Sequence, residues 1–224
     1  MVTWGIDMPA AVLFDMDGTL VDTEHLWIDV VGEVTAAAGR PLVDADLEHV
    51  LGRPIAYAAA YLHDTGAAGS LAELTMALDD GFADRVAEGV TPRPGVRGLL
   101  RELARSQVPT AIVSASERRV VDLVMDALGR ELFAGSIAEG ESAASKPAPD
   151  PYLAAAALLG VNPRNCVAIE DTPLGAEAAE AAGCAVLAVP STVLIPSGPR
   201  RTIAPSLRGV DRHVLAAVLG HHAP

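Results

Sequence analysis

Residues 10–20 read Ala-Ala-Val-Leu-Phe-Asp-Met-Asp-Gly-Thr-Leu, an apolar run that gives way to two carboxylates and a glycine. A short apolar run that ends at a turn signal predicts a buried strand, and Asp-Gly favours a turn. Asp15 and Asp17 would then lie at the carboxyl end of a strand, where open α/β sheets bind ligands. Two carboxylates so placed could act as nucleophile and proton carrier. The alternative is an ordinary Asp-Gly turn that ends a strand.

The same kind of apolar run recurs along the chain and predicts further buried strands. These runs cover residues 109–113, 132–137, 166–169 and 185–189. Segments compatible with helices alternate with most of them, at residues 96–105, 117–128, 151–159 and 174–182. Such alternation indicates parallel strands joined by right-handed crossovers. The predicted fold class is therefore α/β, with a doubly wound, parallel, Rossmann-like sheet as its core.

Residues 22–91 interrupt this alternation, because they carry amphipathic helical patterns and no convincing strand. We expect a small helical cap at 22–91, inserted into a core domain formed by residues 1–21 and 92–224. The glycine and prolines of 89–94 mark a hinge between the two. Residues 190–205, rich in proline and serine, are expected to form a surface loop without a role, and a short final helix is expected at 212–219.

Composition argues against several classes of function. The 224 residues carry a net charge of −13, which would repel a nucleic acid backbone. No run approaches the roughly 20 apolar residues of a membrane-spanning helix, and residues 1–8 lack the basic residues of a signal peptide. We therefore expect a cytoplasmic protein. Cys166 and Cys184 each lie in an apolar stretch, which favours buried packing over a disulfide or a metal pair.

A second pair of acids, Glu170 and Asp171, follows the fourth predicted strand. They would share the sheet edge with Asp15 and Asp17, and these carboxylates would repel one another unless a cation lay among them. Oxygen ligands of this kind suit Mg²⁺. The alternative is an acid pair at a helix N-terminus, which the helix dipole favours and which Pro173 in the first turn would suit.

Two further residues could contact an anion. Ser114 follows the run at 109–113, and its hydroxyl, with backbone amides of a helix start, could hold phosphate oxygens. N-capping accounts equally well for Ser116. Lys146 is the single lysine beside 15 arginines and lies in the proline-rich loop 145–150. An ammonium aimed inward from a rigid loop could offset charge that develops on a phosphoryl group.

These signals follow one order along the chain: Asp-x-Asp-Gly-Thr, then Ser, then Lys-Pro, then Glu-Asp. In this the chain resembles the haloacid dehalogenase superfamily, and within it the branch of sugar-phosphate phosphatases and β-phosphoglucomutases. The resemblance covers nearly all of the chain to about Val189. Residues 144–150 and 168–175 are especially close to that branch, and residues 22–24 fit the usual start of its helical cap.

The resemblance implies a role for each of the acids. Asp15 would attack phosphorus to form an aspartyl-phosphate and would also bind Mg²⁺. Asp17 would protonate the leaving alcohol and then deprotonate water, while its backbone carbonyl binds the metal. Asp171 would be the third protein ligand, and Glu170 would act next to it through a metal-bound water.

The resemblance further implies that Ser114 and Lys146 hold the transferred phosphoryl group. The implied function is a Mg²⁺-dependent phosphatase that acts on a small phosphorylated metabolite, a sugar or polyol phosphate. A monomer is favoured, and neither nucleic acid nor a membrane is expected as a partner.

A mutase of the same branch is the nearest alternative. It would need a cap arginine and lysine for a distal phosphate, but Ile55 and Ala58 occupy the positions aligned with the mutase arginine and serine, and the cap has no lysine. Arg53 or Arg85 could substitute. A dehalogenase would lack the second aspartate, which is Asp17 here. A catalytically idle binding module should have lost at least one chemical residue, and none is missing.

Overall fold

The computed structural model describes residues 8–221, and the prediction about a signal peptide rests mainly on residues 1–7, outside this range. Within residues 8–221 the centre is a six-stranded sheet in which every neighbouring pair is parallel. Its strands are β1 (Ala11–Phe14), β2 (Thr110–Val113), β3 (Gly135–Ile137), β4 (Cys166–Glu170), β5 (Ala185–Ala188) and β6 (Arg201–Ile203). Their order in the sheet is β3-β2-β1-β4-β5-β6.

The middle of the sheet determines where a ligand can bind. The chain moves from β1 outward to β2 and β3, then returns to β4 on the other side of β1. The direction of winding therefore reverses between β1 and β4, and such a switch point leaves a crevice beyond the carboxyl ends of the two strands. All four residues of β1 and all five of β4 are buried, as expected for central parallel strands.

Nine α-helices accompany the sheet within the described residues. They are α1 (Glu24–Ala37), α2 (Leu47–Val50), α3 (Ile55–Asp64), α4 (Leu71–Glu88), α5 (Val96–Arg105), α6 (Arg118–Leu128), α7 (Asp150–Leu158), α8 (Pro173–Ala182) and α9 (Arg212–His221). Leu13 belongs to an apolar cluster with Tyr152 of α7 and Ala179 of α8. Phe14, on the opposite face of β1, belongs to a cluster with Leu215 of α9. Helices thus cover both faces, and the predicted fold class is confirmed.

The stretch between β1 and α5 is helical, in line with the sequence pattern. Its described residues 24–88 form α1 to α4 and one short 3₁₀ turn, without a strand. Trp27 of α1 and Phe82 of α4 pack edge to face, with ring centroids 5.4 Å apart. Ser70 and Glu73 form a reciprocal capping box at the start of α4. The exact division of the chain into cap and core stays a prediction.

Two local predictions were wrong. The run at 132–137 was expected to be one strand, but residues 130–132 form a 3₁₀ turn and β3 begins only at Gly135. The stretch 190–205 was expected to be a surface loop, yet it contains Ile195, which is buried, and β6, which pairs with β5. β6 has three partly exposed residues at a sheet edge, so no apolar run indicates it.

The remaining sequence-level expectations concern the thiols and the membrane. Cys166 and Cys184 are buried and free, as predicted. Burial raises the pKa of the Cys166 thiol to about 11 and that of Cys184 to about 12. Both side chains are therefore protonated packing residues at neutral pH. Among residues 8–221, no helix combines the length and the apolar character needed to cross a bilayer.

Candidate active site

The acidic residues singled out in the sequence meet at the carboxyl ends of β1 and β4. Asp15 directly follows β1, and its backbone NH donates to the carbonyl of Ile169 in β4 at 2.9 Å. Glu170 is the last residue of β4, and Asp171 follows it. One carboxylate oxygen from each of Asp15, Glu170 and Asp171 lies within 4.8 Å of the other two. We call these three residues the acidic cluster.

Lys146 is the counter-charge of the acidic cluster. Its ammonium donates to Asp15 Oδ1 at 2.7 Å, to Glu170 Oε1 at 2.7 Å and to the carbonyl of Val113 at 2.9 Å. These bonds use all three of its N–H donors. Burial by itself would lower the pKa of Lys146, but the charges of Asp15 and Glu170 outweigh it and raise that pKa. The lysine therefore stays charged at neutral pH.

Glu170 is fully buried and held from several sides. The hydroxyl of Tyr152 in α7 donates to Glu170 Oε1 at 2.6 Å, on the same oxygen that Lys146 contacts. Gly175 in the first turn of α8 lets that helix approach, because a Cβ there would lie 1.8 Å from Glu170 Oε1. Burial raises the pKa of Glu170, and the charge of Lys146 offsets part of this rise. This acid is fixed in the site and cannot turn to solvent.

Asp171 is held on both carboxylate oxygens by hydroxyl groups. Thr19 donates to Oδ1 at 3.2 Å and Ser191 donates to Oδ2 at 2.5 Å. Gly18 makes room for it, because a Cβ at that position would lie 2.1 Å from Asp171 Oδ2. The backbone of Gly18 also has φ of +82°, a conformation that residues other than glycine rarely adopt. Burial and the charge of Asp15 raise the pKa of Asp171 well above its ordinary value.

The carboxylate of Asp17 is held by neutral hydroxyl donors. Thr23 donates to Oδ1 at 2.6 Å, while Ser116 and Ser114 donate to Oδ2 at 2.7 and 3.2 Å. The Ser114 hydroxyl also accepts from the backbone NH of Ser116 at 2.9 Å. Burial raises the pKa of Asp17, and the hydroxyl donors offset part of this rise. Asp15 and Asp17 thus occupy different electrostatic surroundings although they are two residues apart.

The acidic cluster fits a divalent cation. Its three carboxylates face a single ammonium, so two negative charges have no partner when all groups are ionised. Asp15 Oδ2 is buried and accepts no hydrogen bond from any described residue. A buried carboxylate oxygen without a partner is costly, and hard oxygen ligands of this kind are those that Mg²⁺ binds. The same residues would hold the ion, with Asp15 Oδ2 as the evident open position.

A cleft lies between the sheet edge and the four helices α1–α4. It encloses about 650 Å³, counting space open to solvent. Its floor contains Asp15, Asp17 and Lys146, and Ser116 lies beside them. The facing wall is mainly apolar and is formed by Trp27, Val50, Leu51, Ile55 and Phe82. A phosphate at the floor would therefore place the rest of its molecule against an apolar surface.

The wall that faces the sheet edge, called the helical wall below, also contributes a cation, Arg53. Its guanidinium stacks on the ring of Tyr57 at 4.8 Å from the centroid. Its Nε is buried and has no hydrogen-bond partner among the described residues. Arg85, the other arginine considered from the sequence, forms an ion pair with Glu33 at 2.6 Å and does not line the cleft.

The structure brings all of the predicted site residues to this sheet edge. Asp15, Asp17 and Lys146 line the cleft, whereas Glu170, Asp171 and Ser114, which contacts Asp17, do not. Sequence reasoning missed the partners that hold them, namely Tyr152, Thr23 and Ser191. Thr23 had a weak signal, because it belongs to the stretch where the cap was expected to start. Tyr152 and Ser191 had none, since each reaches the site only through the tertiary fold.

Comparison with known proteins adds independent information. The profile of the haloacid dehalogenase-like hydrolases matches residues 9–183, a range that contains every site residue predicted from the sequence. The chain is 32% identical over 199 residues to the plasmid form of protein CbbY from Cupriavidus necator, covering 81% of this chain and 78% of that protein. It is 31% identical over 192 residues to hexitol phosphatase A from Escherichia coli, covering 79% and 81%.

Among solved structures, a mutant of CbbY from Rhodobacter sphaeroides in complex with xylulose-(1,5)bisphosphate shares the fold, with a TM-score of 0.79 and 28% sequence identity. The alignment covers 89% of this chain and 95% of that chain. The similarity therefore extends over both the sheet and the helices that form the cleft.

Proposed function

The chain belongs to the haloacid dehalogenase-like hydrolases, and on that premise we propose that it is a Mg²⁺-dependent phosphatase of a small sugar or polyol phosphate. The observation that carries the proposal is the state of Asp15, which is buried beside Lys146 and keeps Oδ2 without a partner at the floor of the cleft. A carboxylate so placed is available to a metal and to phosphorus alike.

Asp15 and Asp17 divide the chemistry in this proposal. The Asp15 carboxylate attacks phosphorus, the bond from phosphorus to the substrate oxygen breaks, and an aspartyl-phosphate forms. Asp17 donates a proton to the departing oxygen. It then accepts a proton from a water that attacks the same phosphorus, which breaks the bond to Asp15 and releases inorganic phosphate. The raised pKa of Asp17 supports this role, because burial favours the protonated form, which can donate a proton.

The other residues position the reacting groups and balance charge. Asp15, Asp171 and the backbone carbonyl of Asp17 would bind Mg²⁺, with Glu170 beside them, and the ion would neutralise the carboxylates enough for a phosphate anion to approach. Lys146 offsets charge on the phosphoryl oxygens. The hydroxyl of Ser114 is proposed to turn from Asp17 to the phosphoryl group when substrate is present.

The helical wall supports the choice of substrate class. Its apolar residues suit the carbon chain of a small molecule, and Arg53 supplies a donor for a hydroxyl or an oxyanion far from the scissile phosphate. Two of the relatives are a hexitol phosphatase and a protein solved with xylulose-(1,5)bisphosphate. Both ligands named there are phosphorylated forms of small polyhydroxylated molecules, which agrees with the proposal.

The test is release of inorganic phosphate from a panel of substrates with Mg²⁺. The panel holds hexitol phosphates, sugar monophosphates, xylulose-(1,5)bisphosphate and nucleoside monophosphates, each repeated with EDTA and with the Asp15→Asn variant. We expect release from at least one polyol or sugar phosphate, and loss of that release in both controls. Turnover that persists in Asp15→Asn would contradict the assignment of the nucleophile. Isomerisation of β-glucose 1-phosphate with its bisphosphate activator, without net release, would instead indicate the mutase.

A further inference from the structure

The segment after β5, residues 189–195, contacts two distant parts of the molecule. Its first end is fixed by the backbone NH of Val189, which donates to the carbonyl of Glu170 at 2.7 Å. Its second end is fixed by Ile195, which is buried in the apolar cluster beneath α7 and α8. Between these anchors Val193 and Leu194 are exposed. Residues 189–195 are called the strap below.

Ser191 in the strap reaches the acidic cluster. Its hydroxyl donates to Asp171 Oδ2 at 2.5 Å, while Thr19 holds Oδ1. A Cβ at Gly18 would meet both Asp171 Oδ2 and the hydroxyl of Ser191, at 2.1 and 3.2 Å. The carboxylate therefore packs against the backbone that follows Asp15, and Ser191 sets its rotation there. Each oxygen still has a lone pair that a cation could use.

Thr192, the next residue of the strap, reaches the helices. Its hydroxyl donates to Glu24 Oε1 at 2.7 Å. Glu24 is the first residue of α1, and Trp27 of the same helix lines the active cleft. Two consecutive hydroxyl side chains thus connect a carboxylate of the acidic cluster with α1, which forms part of the helical wall of the cleft.

The hydrogen bond from Thr192 to Glu24 lies at the edge of an open space. A cavity of about 1320 Å³, counting space open to solvent, lies between the strap and the helices. Ile28 and Leu47 line it on the helical side, and Val193 lines it on the strap side. Because packing does not fill this space, the hydrogen bond from Thr192 is a direct link between the strap and α1.

From these contacts we propose that the strap couples the divalent-cation site to α1, with Ser191 as the positioning residue for Asp171 and Thr192 as the tie to α1. The inference rests on the proposed function, because it requires the acidic cluster to bind a divalent cation. Coupling of this kind is reciprocal, so a cation that fixes Asp171 also biases the position of α1.

The first test is the affinity of the substrate-free protein for Mg²⁺, measured by isothermal titration calorimetry. Loss of a partner that orients a metal ligand weakens affinity, so Ser191→Ala should raise the dissociation constant about tenfold. Ser191→Thr keeps the hydroxyl, so its dissociation constant for Mg²⁺ should lie within about threefold of that of the unmutated protein. Ser197→Ala is the matched control, since Ser197 lies near the strap and is exposed. Equal affinities for Ser191→Ala and Ser197→Ala would overturn the role of Ser191.

The second test follows α1 through Trp27. The chain has two tryptophans, so Trp4→Phe leaves Trp27 as the reporter. We expect saturating Mg²⁺ to change its emission, and Thr192→Val to remove more than about half of that change while the dissociation constant stays within about threefold. The coupling would be overturned if Mg²⁺ did not change the emission of Trp27 in the protein with an unmutated strap, or if Thr192→Val kept the full change.

The two tests separate this inference from the proposed function. A protein that binds no Mg²⁺ overturns both. Mg²⁺-dependent phosphate release, combined with unchanged Mg²⁺ affinity in Ser191→Ala, overturns the strap alone. Thermal unfolding of each variant checks that it is folded under the conditions of the titration.

Discussion

The two walls of the active cleft differ in kind. The sheet edge presents charged side chains held by buried partners, as Lys146 is by Asp15 and Glu170. The helical wall presents apolar side chains and one cation, Arg53, whose Nε has no partner among the described residues. Charged groups held in fixed positions can carry out a reaction, whereas open surfaces can select a substrate. We therefore propose that the sheet edge carries out the chemistry and that the helical wall selects the substrate.

The largest effect is expected at the sheet edge, from Lys146→Met. The variant removes the ammonium that balances Asp15 and Glu170, so charge on the phosphoryl group loses its stabilisation and kcat/KM should fall about a thousandfold. Lys146→Arg is the matched variant and should also lose most activity, because a planar guanidinium cannot replace a compact ammonium that donates to three convergent acceptors. Steady-state kinetics, with unfolding curves to verify stability, measure both. Full activity in either variant would contradict the assignment.

A smaller loss is expected from Asp17→Asn, about a hundredfold in kcat. The variant keeps the shape of the side chain and one acceptor oxygen, so it can still accept from Thr23 or from the two serines, Ser114 and Ser116, but it cannot carry a proton. With p-nitrophenyl phosphate, whose leaving group needs no proton, the first step should survive and the second should not. Stopped-flow absorbance should then show a burst of about one equivalent of p-nitrophenolate before slow turnover. A variant that shows neither slowed turnover nor a burst would separate Asp17 from proton transfer.

On the helical wall, Arg53→Gln should reduce kcat/KM about tenfold for the preferred sugar or polyol phosphate, mainly through KM. The reason is the loss of a donor to the distal part of the substrate. p-Nitrophenyl phosphate has no hydroxyl or charge at that end, so its kinetics should be unchanged. Arg85→Gln is the control, because Arg85 is paired with Glu33 away from the cleft. An equal loss of kcat/KM for both substrates would contradict a role of Arg53 in substrate selection and would indicate a role in the chemistry.

The smallest effect on activity is expected inside the helical region, at Asp46. This buried carboxylate accepts two hydrogen bonds from Arg40 and others from Tyr61 and the backbone of Val43. Asp46→Ala should leave kcat within about twofold yet lower the free energy of unfolding by about 3 kcal/mol at pH 7. Asp44→Ala, an exposed acid in the same turn, should change neither.

The stability effect of Asp46 also has a defined pH dependence. The hydrogen bonds from Arg40 hold the pKa of Asp46 well below its usual range. A carboxylate with a lowered pKa stabilises the fold fully above its unfolded pKa of about 3.9, and this contribution is lost as the pH falls below that value. Urea unfolding should therefore show a constant difference between the native protein and Asp46→Ala from pH 8 to about 5, and a shrinking one below about 4. A difference that grows on acidification would contradict the sign.

How much the sequence predicts follows the same division between the walls. Asp15, Glu170 and Asp171 were predictable because each comes at the end of a continuous buried strand, and parallel strands align their carboxyl ends. Arg53 was weighed only as a substitute, since the direction of a side chain on a helical wall depends on packing. Ser191 was missed because a serine in a proline-rich stretch carries no local signal, and β6 because three residues at an edge make no apolar run.

The central claim is that phosphate passes through Asp15. The most direct measurement is a single-turnover reaction with Mg²⁺ and the best substrate of the panel, quenched with acid and reduced with borohydride, which converts an aspartyl-phosphate to homoserine. Peptide mass spectrometry should then find homoserine at position 15 when substrate and Mg²⁺ are both present, and not when either is omitted. Homoserine at another position would contradict the account. So would the absence of homoserine at position 15 in a reaction that turns over under conditions where the intermediate should accumulate.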